Sequence, residues 1–451
     1  MNVLKKAAFF LLTTLFFSVV VSADSEEVNN GGMSFTAYEI EAATSPEAPR
    51  LPAEDADWSD PVAAEAADAW FDALEARRSA AIDDPEGFYR FTGNTARALL
   101  SEDMSNRVYS PLSLWLELDI LTRLSAGESR ARLLETLCTA SMESLAAQRD
   151  SLWKSQYWDD GDQSCAISAS VWLDQAVSIR PEIKEALGAH CAASVFQGDM
   201  SSPGYNQALR DWLNLSTKGL LSDAVSSLRF EDEARMSAAT AIYYRGRWVD
   251  AFSKADTKPG MFHGAELDVE TDFMHEAREG TLYHGEHFSA FAKDLGIMGK
   301  ALFVLPEPAG SPRELLKDDE VYRLISGMDA WEQREEALVR FAMPRLDCRG
   351  QISLRSALEQ MGLEGLFDET KADFSEALSG DKPIHLSSML QISRIVMDEE
   401  GVEAAAITVS DVFGALVQKL REVDFTLDRP FLFALLGSGD VPLFMGVVNQ
   451  L

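Results

Sequence analysis

Basic residues are scarce in this chain. Across 451 residues, 40 lysines and arginines stand against 73 aspartates and glutamates, a net charge of −33. Such a surface argues against nucleic acid or anionic membrane as partner, because like charges repel at range. Cysteine is also rare. Cys138, Cys165, Cys191 and Cys348 form no C-x-x-C pair, so a zinc knuckle or thioredoxin-like motif is not expected. Spacing leaves disulfides and buried thiols equally open. Of the six histidines, His284 and His287 make an H-x-x-H without the interior glutamate of a helical zinc-protease motif. Gly280 and Gly285 suggest a loop there. No G-x-S-x-G elbow, phosphate-binding loop or dinucleotide fingerprint occurs. The sequence therefore implies no metal and no cofactor. It offers an enzyme only the carboxylate pairs that so acidic a chain produces by chance.

What is present begins with an address. Lys5 and Lys6 precede an apolar run from Ala7 to Val21, and Val21-Ser22-Ala23 supplies small residues before Asp24. This pattern predicts a signal peptide over residues 1–23 and a secreted protein. The run falls short of the roughly 20 residues a membrane span needs, and no later segment is long and apolar enough. Residues 24–84 read as an acidic extension. Its first part, to about Asp60, has the composition of a disordered or loosely tethered segment. Asp60 to Ile82 predicts one added helix, with Trp70, Phe71 and Leu74 on a stripe and Asp60-Pro61 at its start.

From about Pro85 the pattern is mixed. Phe88 to Leu100 and Pro111 to Leu124 predict helices. Ala166 to Leu173, Ala238 to Tyr244, Lys300 to Leu305, Val339 to Pro344 and Gln391 to Asp398 predict strands. Phe425 to Leu436 and Pro442 to Val448 predict a terminal antiparallel pair. Helices early and strands late imply an α+β fold, with 85–451 as the main domain.

The run EEGVEAAAITVSDVFGAL, Glu399 to Leu416, is the most unusual segment. Read at period two, Val402, Ala404, Ala406, Thr408, Ser410 and Val412 share one face, all small or β-branched and none charged. Glu403 and Asp411 fall on the other face. A strand with one snug face could enter a sheet this way. The competing reading is an exposed loop or short helix, since Glu and Ala favour helix.

Several segments, taken in order, resemble the serpin family. NRVYSPLS at Asn106 to Ser113 is similar to its N-x-V-F-S-P-L-S element. Ala126-Gly127-Glu128-Ser129 resembles its G-x-T turn, and Trp212, Thr217 and Gly219 keep the spacing of its W-x(4)-T-x-G. AIYYRGRW at Ala241 to Trp248, followed by Phe252, Thr257, Phe262 and His263, is similar to its A-I-Y-F-K-G-K-W strand and turn. Met361-Gly362 to Phe367 and Ala372-Asp373-Phe374-Ser375 follow its L-G-x(3)-F and A-D-F-S. Glu399 to Thr408 resembles the hinge E-E-G-T-E-A-A-A-A-T. Asp428 to Phe431 and Leu443 to Gly446 resemble the closing D-R-P-F and L-F-M-G.

The resemblance implies three β-sheets, eight or nine helices and an exposed reactive-centre loop. It implies a monomer that traps a serine or cysteine protease, which cuts the loop and is dragged as the loop inserts into the large sheet. It assigns the hinge to Glu399, Glu400, Gly401, Val402, Glu403, Ala404, Ala405, Ala406 and Thr408. Family spacing places the reactive bond at Ala415-Leu416; counting back from Phe425 gives Leu416-Val417. Alanine suits an elastase-like pocket, and leucine a chymotrypsin- or subtilisin-like one. Sheet opening falls to Ser110, Pro111, Ser113, Thr240 and Gln391. Thr240 and Gln391 replace the family's asparagine and histidine, so the two are expected in contact or near it, close to the serines. Glutamine does not titrate near neutral pH as histidine does, so sheet opening is expected to lack the pH trigger a histidine there would supply. Arg345 and Glu399 match an ion pair of some relatives. A non-inhibitory carrier, chaperone or storage protein of the same fold is the rival reading.

Overall fold

The computed structural model describes residues 34–44, 49–50, 56, 59–101, 104–231, 233–387, 389–402 and 420–451. The predicted signal segment lies outside them. Three sheets are present, as expected. The described residues hold eleven α-helices, above the expected eight or nine; the added helix Pro61–Ser79 and three single turns of four residues are among them.

Helix Pro111–Leu124 shows how the sequence builds the core. Ser110 caps it by accepting from Ser113 N, and Pro111 fills a first-turn position whose N–H has no helical partner. It is apolar on nearly every side and buried at every residue but Arg123, as an all-round hydrophobic helix must be. One side packs on strand Met236–Arg247 of the large sheet and another on strand Pro442–Val448 of the second sheet.

The large sheet runs Glu39–Glu41, Ala193–Gly198, Ser164–Asp174, Met236–Arg247, Gly401–Val402, Leu390–Met397, Leu346–Ser353, with Trp158–Asp159 paired to Ser164–Asp174. The second sheet runs Arg421–Thr426, Arg334–Pro344, Asp268–His284, Phe288–Asp294, Lys300–Pro306, Phe431–Leu436, Pro442–Val448, Arg107–Tyr109, with Lys258–His263 on Asp268–His284. The stretch Phe425 to Leu436, expected as one strand, is two. It breaks after Thr426, and Pro430, which has no N–H for a ladder, lies in the gap.

The extension also departs from expectation. Ser34 to Thr44 is not loose: Glu39–Glu41 pairs antiparallel with the edge strand Ala193–Gly198. Phe35 meets Phe196 edge-on at 6.1 Å, and Tyr38 lies 4.9 Å from the Tyr205 ring on helix Pro203–Ser216. Gly198 leaves room for this, since a Cβ there would stand 2.9 Å from Tyr38. Lys184 donates to the Ile40 carbonyl at 2.9 Å and pairs with Glu41 at 3.1 Å. Helix Pro61–Ser79 docks through Trp70, whose indole meets Trp158 and donates to Asp160 at 3.1 Å. Buried Arg77 donates to the carbonyls of Gln156 and Ile297.

Docking of this kind has a measurable signature. Phe35→Ala should lower the stability of the folded chain by about 2–4 kcal/mol in a denaturant melt. An unchanged midpoint would mean that Ser34 to Thr44 does not rest on the sheet edge in solution.

Candidate functional site

Strand Leu390–Met397 ends in a turn that folds the chain back on itself. Asp398 N–H donates to the Gly401 carbonyl at 3.0 Å, and the Asp398 carboxylate accepts from the N–H groups of Glu400 at 2.9 Å and Gly401 at 3.2 Å. Gly401 and Val402 then run antiparallel to both neighbours. Val402 faces Met397 on one side and Gly246 on the other, and Gly401 faces Arg247. A Cβ on Gly401 would stand 2.2 Å from the Gly246 carbonyl oxygen, so the close approach of these two backbones requires glycine. Val402 is buried. The expected exposed loop therefore starts later than the resemblance suggested: its first two residues already occupy a slot in the large sheet.

Below that slot, no backbone ladder joins Met236–Arg247 directly to Leu390–Met397 among the described residues. Both strands lie antiparallel to the hinge and so run parallel to each other. Between them is a seam. A cavity of about 90 Å³ lies along it, lined by Ala239 and Ala241 on one strand, Ile392 on the other, and Leu209 and Leu213 of helix Pro203–Ser216.

The seam's upper end is fastened by charge. Arg345 grips Glu399 in a fork, with Nη2 at 2.5 Å from Oε1 and Nε at 3.1 Å from both oxygens. Thr257 adds a hydroxyl at 2.7 Å, and Arg345 also reaches Asp272 at 3.3 Å. Burial acts to raise the Glu399 carboxyl, but the hydrogen bonds from Arg345 and Thr257 outweigh it and hold the group at about 2. Lys254 pairs with Glu400 at 2.6 Å. The carbonyls of Asp398, Glu399 and Glu400 accept from Trp248 Nε1, Phe252 N and Trp248 N. Beneath those two aromatic residues lies Lys293, fully buried, 4.4 Å from the Phe252 ring and paired with Glu276 at 2.7 Å. Sequence reasoning quoted Trp248, Phe252 and Thr257 only as matches and assigned them no role; Lys254 and Lys293 it missed. The acids at Glu399 and Glu400 were a signal that fixed cations should face them.

The seam's middle rests on the serine segment. Gln391 is buried and spans Ser110, accepting from its N–H at 2.8 Å and donating to its carbonyl at 3.1 Å. Thr240 lies 3.1 Å from Ser113 Oγ and 3.2 Å from the Ser113 carbonyl. No Thr240–Gln391 hydrogen bond occurs among the described residues; each binds the N-terminal turn of helix Pro111–Leu124 instead. Pro111 sits between the two contacts and favours the extended backbone that Ser110 adopts as the cap.

Glu403, Ala404, Ala405, Ala406, Thr408, Ala415 and Leu416 lie outside the described residues. The chain is next described at Leu420, and Arg421–Thr426 pairs parallel with Arg334–Pro344 in the second sheet. Cys138, Cys165, Cys191 and Cys348 are free thiols.

Glu399 predicts an acid-sensitive hinge. A carboxyl held below its unfolded value stabilises the fold above the unfolded pKa, and the contribution fades as pH falls from about 4.5 toward 2. Urea melts of wild type and Glu399→Gln should therefore differ more at pH 6.5 than at pH 3, by roughly 1–2 kcal/mol. A pH-independent difference would contradict the ion pair. Gly401→Ala should expel the hinge from the slot, read as increased hydrogen exchange at Val402.

Comparison with known proteins agrees with this geometry. The model of a family described as Serpin (serine protease inhibitor) matches residues 86–451. Serpin-Z1C of Triticum aestivum is 26% identical over 368 residues, covering 77% of this chain and 90% of the relative. The leukocyte elastase inhibitor of Homo sapiens is 24% identical over 371 residues, covering 79% and 96%. Among solved structures, the native state of the thermophilic serpin tengpin aligns with a TM-score of 0.74 at 22% identity, covering 82% of this chain and 95% of tengpin. Arabidopsis AtSerpin1 in its native stressed conformation aligns at 0.70 and 22%, covering 82% and 99%. With the family match running from the first helix after the extension to the final leucine, the chain belongs to the serpin family.

Proposed function

We propose that this serpin is a secreted suicide inhibitor of serine proteases with elastase-, chymotrypsin- or subtilisin-like pockets. The observation that carries the reading is the seated hinge. Gly401 and Val402 fill the head of a seam that has no ladder beneath it among the described residues, and the residues that follow in sequence are small and uncharged at alternate positions. A protease serine attacks the carbonyl at Ala415, or at Leu416, and holds the loop as an ester. Cutting frees the hinge side of the loop, and residues from Val402 to about Val412 enter the seam as a new central strand. Strand addition of this kind is a known mode of serpin action. Each backbone bond gained is worth roughly 0.5–1.5 kcal/mol, so about ten give on the order of 10 kcal/mol with which to deform the attached enzyme. A serpin so described is a protease's substrate only once. It uses no cofactor and works as a monomer, residues 1–23 directing its export.

A cysteine protease would be trapped through the analogous thioester. The rival carrier or storage role predicts a loop that is cut without consequence.

The test is a denaturing gel of the protein mixed with pancreatic elastase. A band at the summed mass that survives SDS is expected. Cleavage near residue 415 with no such band would favour the non-inhibitory reading. Ala404→Arg places an unpaired charge on the entering face, at a penalty of several kcal/mol. It should turn most encounters into simple cleavage while leaving the rate of the first cut unchanged.

A further inference from the structure

Glu117 lies in the middle of helix Pro111–Leu124 and is 1% exposed. One carboxyl oxygen, Oε1, is buried without a hydrogen-bond partner among the described residues. The other, Oε2, lies 3.3 Å from Thr240 Oγ1. That same hydroxyl serves Ser113 Oγ at 3.1 Å and the Ser113 carbonyl at 3.2 Å. A threonine hydroxyl has one hydrogen and two lone pairs. With Glu117 ionised, the single hydrogen can serve one carboxylate oxygen at most, and the charge shared by Oε1 is buried without a donor among the described residues. With Glu117 protonated, that charge is gone and every hydroxyl hydrogen of the set has an acceptor. Ser113 and Glu117 both donate to Thr240, and Thr240 donates to the Ser113 carbonyl.

We propose that Glu117 holds a proton while the seam is closed, and that losing it at mildly alkaline pH releases strand Met236–Arg247 from the serine helix and loosens the seam. Burial pushes this carboxyl up, to about 8, against the lesser downward pull of the Thr240 hydrogen bond. No neighbouring charge offsets the burial. On its own helix, Asp119 faces Arg123 and Arg149. Strand Met236–Arg247 brings Thr240 and Tyr244, whose hydroxyl reaches the Met298 carbonyl. Strand Ser164–Asp174 brings the neutral thiol of buried Cys165, pushed up to about 12 by burial. Strand Leu390–Met397 brings Gln391 and Ser393, and Pro442–Val448 brings nothing ionisable. The charges of the flanking helices are engaged elsewhere: Arg97 with Asp319, Arg130 with Glu376, Lys184 with Glu41. Gln391 removes the titrating group that a histidine would place at the seam, and Glu117 supplies another on the opposite strand's contact.

The bearing on loop entry rests on the proposed function; the experiment reads the seam itself and stays decisive if the loop never inserts. Hydrogen exchange of the amides in 236–247 and 390–397, corrected for intrinsic rates, is compared at about pH 6.5 and 9 for wild type and Glu117→Gln. Glutamine donates at every pH. Wild-type protection should fall roughly two- to tenfold across this range, the worth of one hydrogen bond, while Glu117→Gln stays flat. An equal fall in both proteins, or none in wild type, overturns the proposal. Should the variant not fold, wild type labelled with carboxyl-¹³C glutamate decides. A glutamate titrating between about pH 7 and 9 supports the proposal, and the absence of any midpoint above about 6 refutes it.

Discussion

Two strands of the large sheet stand side by side with no ladder between them among the described residues, and the contacts at the hinge and the serine segment are arranged around that missing set of backbone bonds. Buried amides and carbonyls are strongly driven to pair. Among the described residues the demand is met at the head of the seam, by Gly401 and Val402. Lower down, side chains substitute for backbone: Gln391 and Thr240 each reach across to the turn Ser110–Ser113. The seam is therefore stoppered by the chain that would fill it and steadied by a helix end.

The fastenings differ in kind, and that difference has consequences. At the hinge, a fork of charge-assisted bonds from Arg345 fixes Glu399, with Asp272 and Thr257 completing the cluster. These contacts hold the turn in place whether or not the following loop is intact. At the serine segment the contacts are neutral and geometrically tight, and they depend on hydroxyl hydrogens whose number is limited. One end behaves as an anchor and the other as a catch. On the far side of the sheet, the strap from Ser34 to Thr44 pairs with strand Ala193–Gly198 and touches the crossing helix Pro203–Ser216, so that strand is not the outermost row of the sheet.

Much of this was legible in the sequence wherever a local rule decided the outcome. Helix Pro111–Leu124 falls where a serine cap, a first-turn proline and an unbroken apolar run place it. Strand Leu390–Met397 ends where acids and a glycine begin. The strap was not legible, because Phe35 and Tyr38 are isolated aromatics in an acidic segment and their partner strand lies more than 150 residues away. Strand Asp268–His284 was hidden by its polar outer face, DVETDFMHEAREGTLYH carrying few of the β-branched residues that mark strands. The contact expected between Thr240 and Gln391 takes another form because the helix turn stands between them. Nothing in the sequence distinguishes Glu117 within its apolar helix. Only the packing reveals that one of its carboxyl oxygens is buried without a donor among the described residues.

The central claim is that the uncut molecule is metastable and that severing the chain near residue 415 lets the seam fill. Its most direct measurement is the thermal midpoint of the protein before and after a single cleavage in 403–419, with both fragments retained. An added strand worth on the order of 10 kcal/mol should raise that midpoint by roughly 10 °C or more. Identical midpoints for the cut and uncut forms would mean that nothing enters the sheet, and that the seam is an end state rather than a stored one.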